Sequence, residues 1–95
     1  MSVELIVLEA GKSEGYVQSY PESPSLADMQ EIVGGYIELV HLNESQYMVV
    51  NEDGHILELP YNQLANKMLA QLRPEFATRN VIVGNVFLID KKDIE

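Results

Sequence analysis

Ninety-five residues, 46% of them hydrophobic and 22% charged, suffice for one small domain and exclude collagen-like, low-complexity and wholly disordered chains. Six Lys and Arg against 15 Asp and Glu leave a net charge of −9, which argues against direct DNA or RNA binding, because phosphate affinity needs clustered basic residues. The absence of cysteine removes disulfides, thiolate nucleophiles and Cys-ligated metal centres.

Residues 3–10 carry Val3, Leu5 and Val7 on one face and Ile6 and Leu8 on the other, predicting a strand covered on both sides. The run lacks a basic leader and is far too short to span a bilayer. The expectation is therefore a soluble cytoplasmic chain, in a host cell's cytosol, with no membrane partner. Gly11 to Gly15 form a turn, and Tyr16 to Tyr20 alternate as a returning hairpin strand that Pro21 to Pro24 end. Ser25 and Asp28 have capping-box spacing, and Leu26, Met29, Ile32 and Val33 make a helical stripe that Gly34-Gly35 closes. Tyr36 to Leu42 and Gln46 to Asn51 predict a hairpin across Asn43-Glu44-Ser45. The turn at Asn51 to Gly54 leads into a third strand over His55 to Leu59.

Pro60 ends that strand, and Asn62 caps a helix running to Leu72 with an apolar stripe of Leu64, Ala65, Met68, Leu69 and Leu72. Pro74 stops it, Glu75 to Asn80 form a loop, and Val81 to Ile89 return as the most apolar strand. Gly84 within that run marks a bulge or a close approach, and Lys91 to Glu95 form a frayed tail. The prediction is a single α+β domain over 1–95 with an ordered core at about 3–90. Its order is β-β-α-β-β-β-α-β, with five or six mostly antiparallel strands and both helices on one face.

Charge is distributed unevenly. Residues 1–58 hold 11 acids and one base, Lys12, for −10, whereas residues 59–95 hold four acids and five bases for +1. An anionic ligand is therefore expected near Lys67, Arg73 and Arg79. Gly11-Lys12-Ser13 follows a strand but lacks the upstream glycine of a phosphate loop, having Ile6 there, and it leads into a strand where phosphate cradling needs a helix. His41 and His55 lack metal-ligand spacing, and Glu52-Asp53 belong to a turn. No serine resembles a nucleophile elbow, so catalytic residues, metal and cofactors are all expected to be absent. Five tyrosines against two phenylalanines suit a contact surface, with Tyr36 and Tyr61 beside backbone breaks where a cleft can open.

Four strings occur in order: Glu31-Ile32-Val33-Gly34-Gly35-Tyr36-Ile37-Glu38, Val50-Asn51-Glu52-Asp53-Gly54, Leu59-Pro60-Tyr61-Asn62 and Ile82-Val83-Gly84-Asn85-Val86. Together they resemble a family of small domains of unknown function found in bacteriophages, Gram-positive bacteria and mobile elements. The resemblance implies an accessory protein and transfers no catalytic residue. It supports the expectation of a non-enzymatic protein that counters host defence by sequestering a small nucleotide signal as a homo-oligomer. In that reading Tyr36 or Tyr61 stacks on the base, Arg73 and Arg79 meet phosphate, and Asn51, Asn62 or Asn85 read polar edges. One alternative is an acidic inhibitor that mimics nucleic acid and occupies a basic host protein. Another is a nucleotide-degrading enzyme.

Overall fold

The computed structural model describes residues 2–94. Strand β1 (Val3–Leu8) buries Val3, Leu5, Val7 and Leu8 but leaves Ile6 40% exposed, which corrects the expectation of cover on both sides, and it pairs antiparallel with β2 (Tyr16–Tyr20), Ile6 facing Val17. Helix α1 (Leu26–Val33) begins at a reciprocal Ser25–Asp28 capping box and ends at Gly34, whose φ of 81° is the left-handed conformation that glycine supplies. Hairpin β3 (Ile37–His41) and β4 (Gln46–Asn51) closes through Asn43, whose side-chain oxygen accepts from the Ser45 amide at 2.9 Å. Helices α2 (Gln63–Leu72) and α3 (Pro74–Arg79) precede β5 (Val86–Asp90). The five strands form one antiparallel sheet in the order β2-β1-β5-β4-β3, so the last strand enters the middle. The α+β class and the alternation of hairpins and helices follow the sequence reading.

The expected placement of both helices on one face is corrected. Met29 and Val33 of α1 pack with Val3, Leu5, Val7, Val49, Phe87 and Ile89. Ala65 and Leu69 of α2 pack with Leu8, Met48, Val50, Val86 and Leu88. Successive strand residues point to opposite faces, so these two sets lie on opposite sides of one sheet. Consecutive apolar residues over Met48–Val50 in β4 and Val86–Ile89 in β5 require this, because a solvated face would expose Met48, Val86 and Leu88.

Three further elements differ from expectation. Residues 53–59 form turns in place of a third meander strand, since β4 is already paired on both sides and offers no edge. Their backbone bonds locally instead, Leu57 N–H to Asp53 O at 2.9 Å and Leu59 N–H to Gly54 O at 3.0 Å. Pro74 opens α3 where a loop was expected: the chain bends at Arg73, and proline is well suited to a first helical turn because its missing N–H would be unpaired there. The C-terminal tail is docked, with Lys91–Asp93 in a 3-10 turn, Lys91 N–H bonded to Ser45 O at 2.8 Å and Ile94 packed beside the α1 core; Glu95 lies outside the described residues.

Regular pairing in β5 starts only at Val86; the preceding 81–85 segment makes one isolated bridge, Val83 with Tyr61, flanked by Asn62 N–H to Ile82 O at 3.2 Å and Gly84 N–H to Pro60 O at 2.7 Å, and side chains complete its support. Asn62, fully buried, donates to Leu8 O and Gly84 O, each at 2.8 Å, while its carbonyl caps α2 by accepting from Ala65 N–H at 3.0 Å. Gly84 has φ 80°, and a Cβ there would come within 2.7 Å of Leu59 Cδ1, so the close approach is made by a side chain of the preceding turn and not by helix or ligand backbone. Asn62→Ala leaves two buried carbonyls and one helix amide without their partner, so unfolding free energy should fall by about 2–4 kcal/mol in urea titration. Asn62→Asp keeps the capping oxygen but sets a buried carboxyl group against the Leu8 and Gly84 carbonyls, so it should be no more stable than Asn62→Ala at neutral pH in the same titration.

Candidate functional site

Pairing across the sheet sets one row of side chains on the α2 face: Val17, Ile6, Leu88, Met48 and Val40. Beneath α2 the row is buried, with Val40 at 7% and Met48 at 0% exposed. Beyond the helix it is open, with Ile6 at 40% and Val17 at 59% exposed. Ten residues of α2 extend ~15 Å, whereas five strands span ~19 Å between outer axes, and α3 adds cover through Phe76 and Ala77 only on the side of β3 and β4, so the end of that face towards β2 is left open.

The β1–β5 ladder runs from Leu8–Val86 to Ile6–Leu88, although both strands continue past it. Where they continue, a trough of about 770 Å³ lies over Ile6, Val17 and Leu88. Its rim holds Glu4, Glu22, Asp90 and Asp93 against one cation, Lys92. Glu4 and Asp90 each stand two residues from the Ile6–Leu88 pair on the same face, flanking the opening from adjacent strands. Like charges so placed repel one another and attract a cationic group. None of these residues was singled out in the sequence. Their signal was the apolar even-numbered position in β1 matched with Val17 of a strand otherwise exposed, which is uninformative until the register is known.

The residues anticipated as a nucleotide site separate. Asn51 is buried, donating from its side chain to Val33 O at 3.0 Å and accepting from Asp53 N–H at 2.8 Å. Asn85 accepts from Ala10 N–H at 2.9 Å, and the Asn62 amide is fully engaged as described. Tyr36 is 67% exposed, and Tyr61 is exposed beside its bridge to Val83. Neither tyrosine shares a concavity with the arginines among the cavities of the described residues. Arg73 and Arg79 do come together, lining a shallow concavity of about 480 Å³ with Phe76 and Asn80. Arg73 also lies over the Phe76 ring at 5.2 Å and donates to the His41 carbonyl.

That contact helps to enclose a smaller cleft of about 300 Å³ between β3, α3 and residues 81–83, which includes His41, His55, Glu38 and Glu52. His55 Nε2 lies 2.6 Å from Val81 O, so this nitrogen carries the proton and donates. His41 Nδ1 is 2.8 Å from Lys91 Nζ, which donates to it, and the His41 ring packs tilted on Tyr47. Both imidazoles thus serve internal contacts. Among the described residues, no group of three or more His, Asp or Glu is placed to hold a metal ion, and no helix is long and apolar enough to cross a membrane.

Strand β2 borders the trough on one face and presents Tyr16 and Tyr20 on the other. Burial pushes both phenols above their ordinary value of 10.0; Glu9, which accepts from the Tyr16 hydroxyl at 3.2 Å, adds to the first, and Asp28 and Glu31 add to the second. Raised values mean that the folded chain retains protons that the unfolded chain releases near pH 10. Their contribution to stability is therefore complete below pH 10 and declines as pH rises through 10 towards the folded values. Alkaline urea titrations should show this decline, and the Tyr16→Phe, Tyr20→Phe double variant should flatten it.

No curated protein and no solved structure matches this chain. A family model does, over residues 2–95, and it takes in every strand and helix described above. The chain belongs to the family described as Domain of unknown function (DUF3846).

Proposed function

We propose that this chain acts by binding, without chemistry of its own, and that its trough receives a basic segment of a partner protein. The observation that carries this reading is the open half of the sheet row, Ile6 and Val17 exposed on a concave floor with four carboxylates and one ammonium around it. Covering a large aliphatic side chain contributes about 1.5–3 kcal/mol, and an exposed ion pair about 0.2–1 kcal/mol. The floor therefore supplies most of the affinity, while the rim selects for positive charge and accelerates encounter. In the phage or mobile-element setting that the sequence resemblance implies, the target is a basic host protein whose nucleic-acid-binding surface becomes occupied. Titrating a basic amphipathic peptide into isotope-labelled protein should shift the resonances of Ile6, Val17 and Leu88. Glu4→Gln with Asp90→Asn should weaken binding roughly three- to tenfold, and added salt should weaken it further. Shifts confined to α3, or an affinity indifferent to salt, would refute the reading.

One observation favours a second reading: the chain's two arginines line one concavity beside Phe76. A small nucleotide signal held there, by an oligomer that sequesters it from host defence, would use both guanidinium groups for phosphate and would not need the buried asparagines. Calorimetry with a nucleoside diphosphate and a cyclic dinucleotide tests it. Retention should disappear in the Arg73→Ala, Arg79→Ala double variant, and unchanged binding in that variant removes the idea.

A further inference from the structure

We infer that β2 is a docking edge, at which an extended basic segment of the partner adds as a sixth strand beside the trough; this rests on the trough reading above. The sheet order leaves β2 and β3 as its two edges. Edge strands present unpaired backbone groups, and proteins blunt them with charge, proline, bulges or covering groups. Strand β3 is blunted, since it carries Glu38 and its His41 carbonyl accepts from Arg73. Strand β2, Tyr-Val-Gln-Ser-Tyr, has no charged residue and no proline, and its first four residues are exposed.

The charges that flank β2 specify the occupant. Glu14 lies two residues before the strand and Glu22 two residues after it. The strand reads nearly the same in both directions, so a second copy could pair with it antiparallel along its full length. That register would set Glu14 of each copy opposite Glu22 of the other, a like-charge pair at both ends, between molecules of net charge −9. A basic strand turns the same two positions into ion pairs. On the trough face its side chains would fall beside Val17 and Ser19, which pair with Ile6 and Glu4. An apolar residue beside Val17 extends the floor. A Lys or Arg beside Ser19 can lie across that small side chain towards Glu4, about two strand spacings or ~10 Å away. The recognised sequence is thus an alternation of basic and apolar residues, held by backbone hydrogen bonds at the edge and by side chains in the trough.

The test uses a capped peptide of alternating lysine and valine, about seven residues long, and a second version N-methylated at the amides that would face β2. The unmodified peptide should slow amide exchange in Tyr16–Tyr20 and shift Val17 and Ile6. N-methylation should lower affinity at least ~10-fold, the equivalent of about 1.4 kcal/mol. Glu14→Gln with Glu22→Gln should lower it about threefold, leaving the isolated protein's fold intact, since both are exposed. Equal binding of the two peptides, with Ile6 still shifting, would overturn docking at the edge while leaving the trough reading in place. Absence of binding by either would overturn both. Exchange protection of β2 that grows with protein concentration in the absence of peptide would overturn the inference in favour of a second copy.

Discussion

The carboxamide of Asn62 is the point at which the two halves of this chain are joined. It is buried without exposure and has partners for both donors and its acceptor: the last carbonyl of β1, the carbonyl of Gly84 just before β5, and the Ala65 amide in the first turn of α2. A buried amide group contributes little net stability when satisfied but is expensive to leave unpaired, so the three segments are held in a fixed relation. Asn66, one turn along α2, repeats the pattern by donating to Ile82 O and accepting from Ile82 N–H, both at 2.8 Å. Irregular backbone at 80–85 has no strand neighbour for much of its length, and asparagine, with a donor and an acceptor on a short stem, replaces the missing ladder. The same chemistry that made these asparagines attractive as ligand readers is engaged in holding the fold.

That join determines the shape of the sheet. It directs β5 between β1 and β4, so the most apolar strand is central and both its faces need cover. Helix α1 serves one face and α2 with α3 the other, yet α1 and α2 are each too short to reach across five strands and α3 adds only Phe76 and Ala77. The uncovered remainder falls beside β1 and β2, where Ile6 and Val17 meet solvent. A chain of this length has no third large element to place there. The acidic excess of residues 1–58 gathers partly on the same surface, through Glu4 and Glu22, and the fold adds Asp90 and Asp93 from the other end of the chain. Exposed apolar area and concentrated like charge are each destabilising, and the proposed cationic, amphipathic partner would relieve both.

Separation of the two arginines from the acidic surface has a corresponding effect on the far side. Arg73 sits at the bend between α2 and α3, where its guanidinium reaches the edge of β3 and covers Phe76. An arginine in this position protects one sheet edge, whereas the opposite edge has no such cover. The two edges therefore differ: at one the His41 carbonyl is taken by the chain's own Arg73, and at the other β2 carries neither charge nor proline.

Local signals in the sequence determined the elements whose stability is local. Ser25 with Asp28, Gly34 and Asn62 specified helix ends because capping is a contact between near neighbours, and strand-forming runs separated by short polar turns specified the hairpins β1–β2 and β3–β4. Pro74 was ambiguous, since the residue that ends one helix is equally suited to begin the next. Residues 55–59 carried strand composition, but a strand also needs a free neighbour, and β4 had none left to give. Which face each helix covers, which of Ile6 and Leu88 stays open, and that Glu4 and Asp90 flank one opening were decided by tertiary structure alone. Each depends on pairing residues some 80 positions apart in the chain, as Ile6 is with Leu88, and no local pattern encodes such a register.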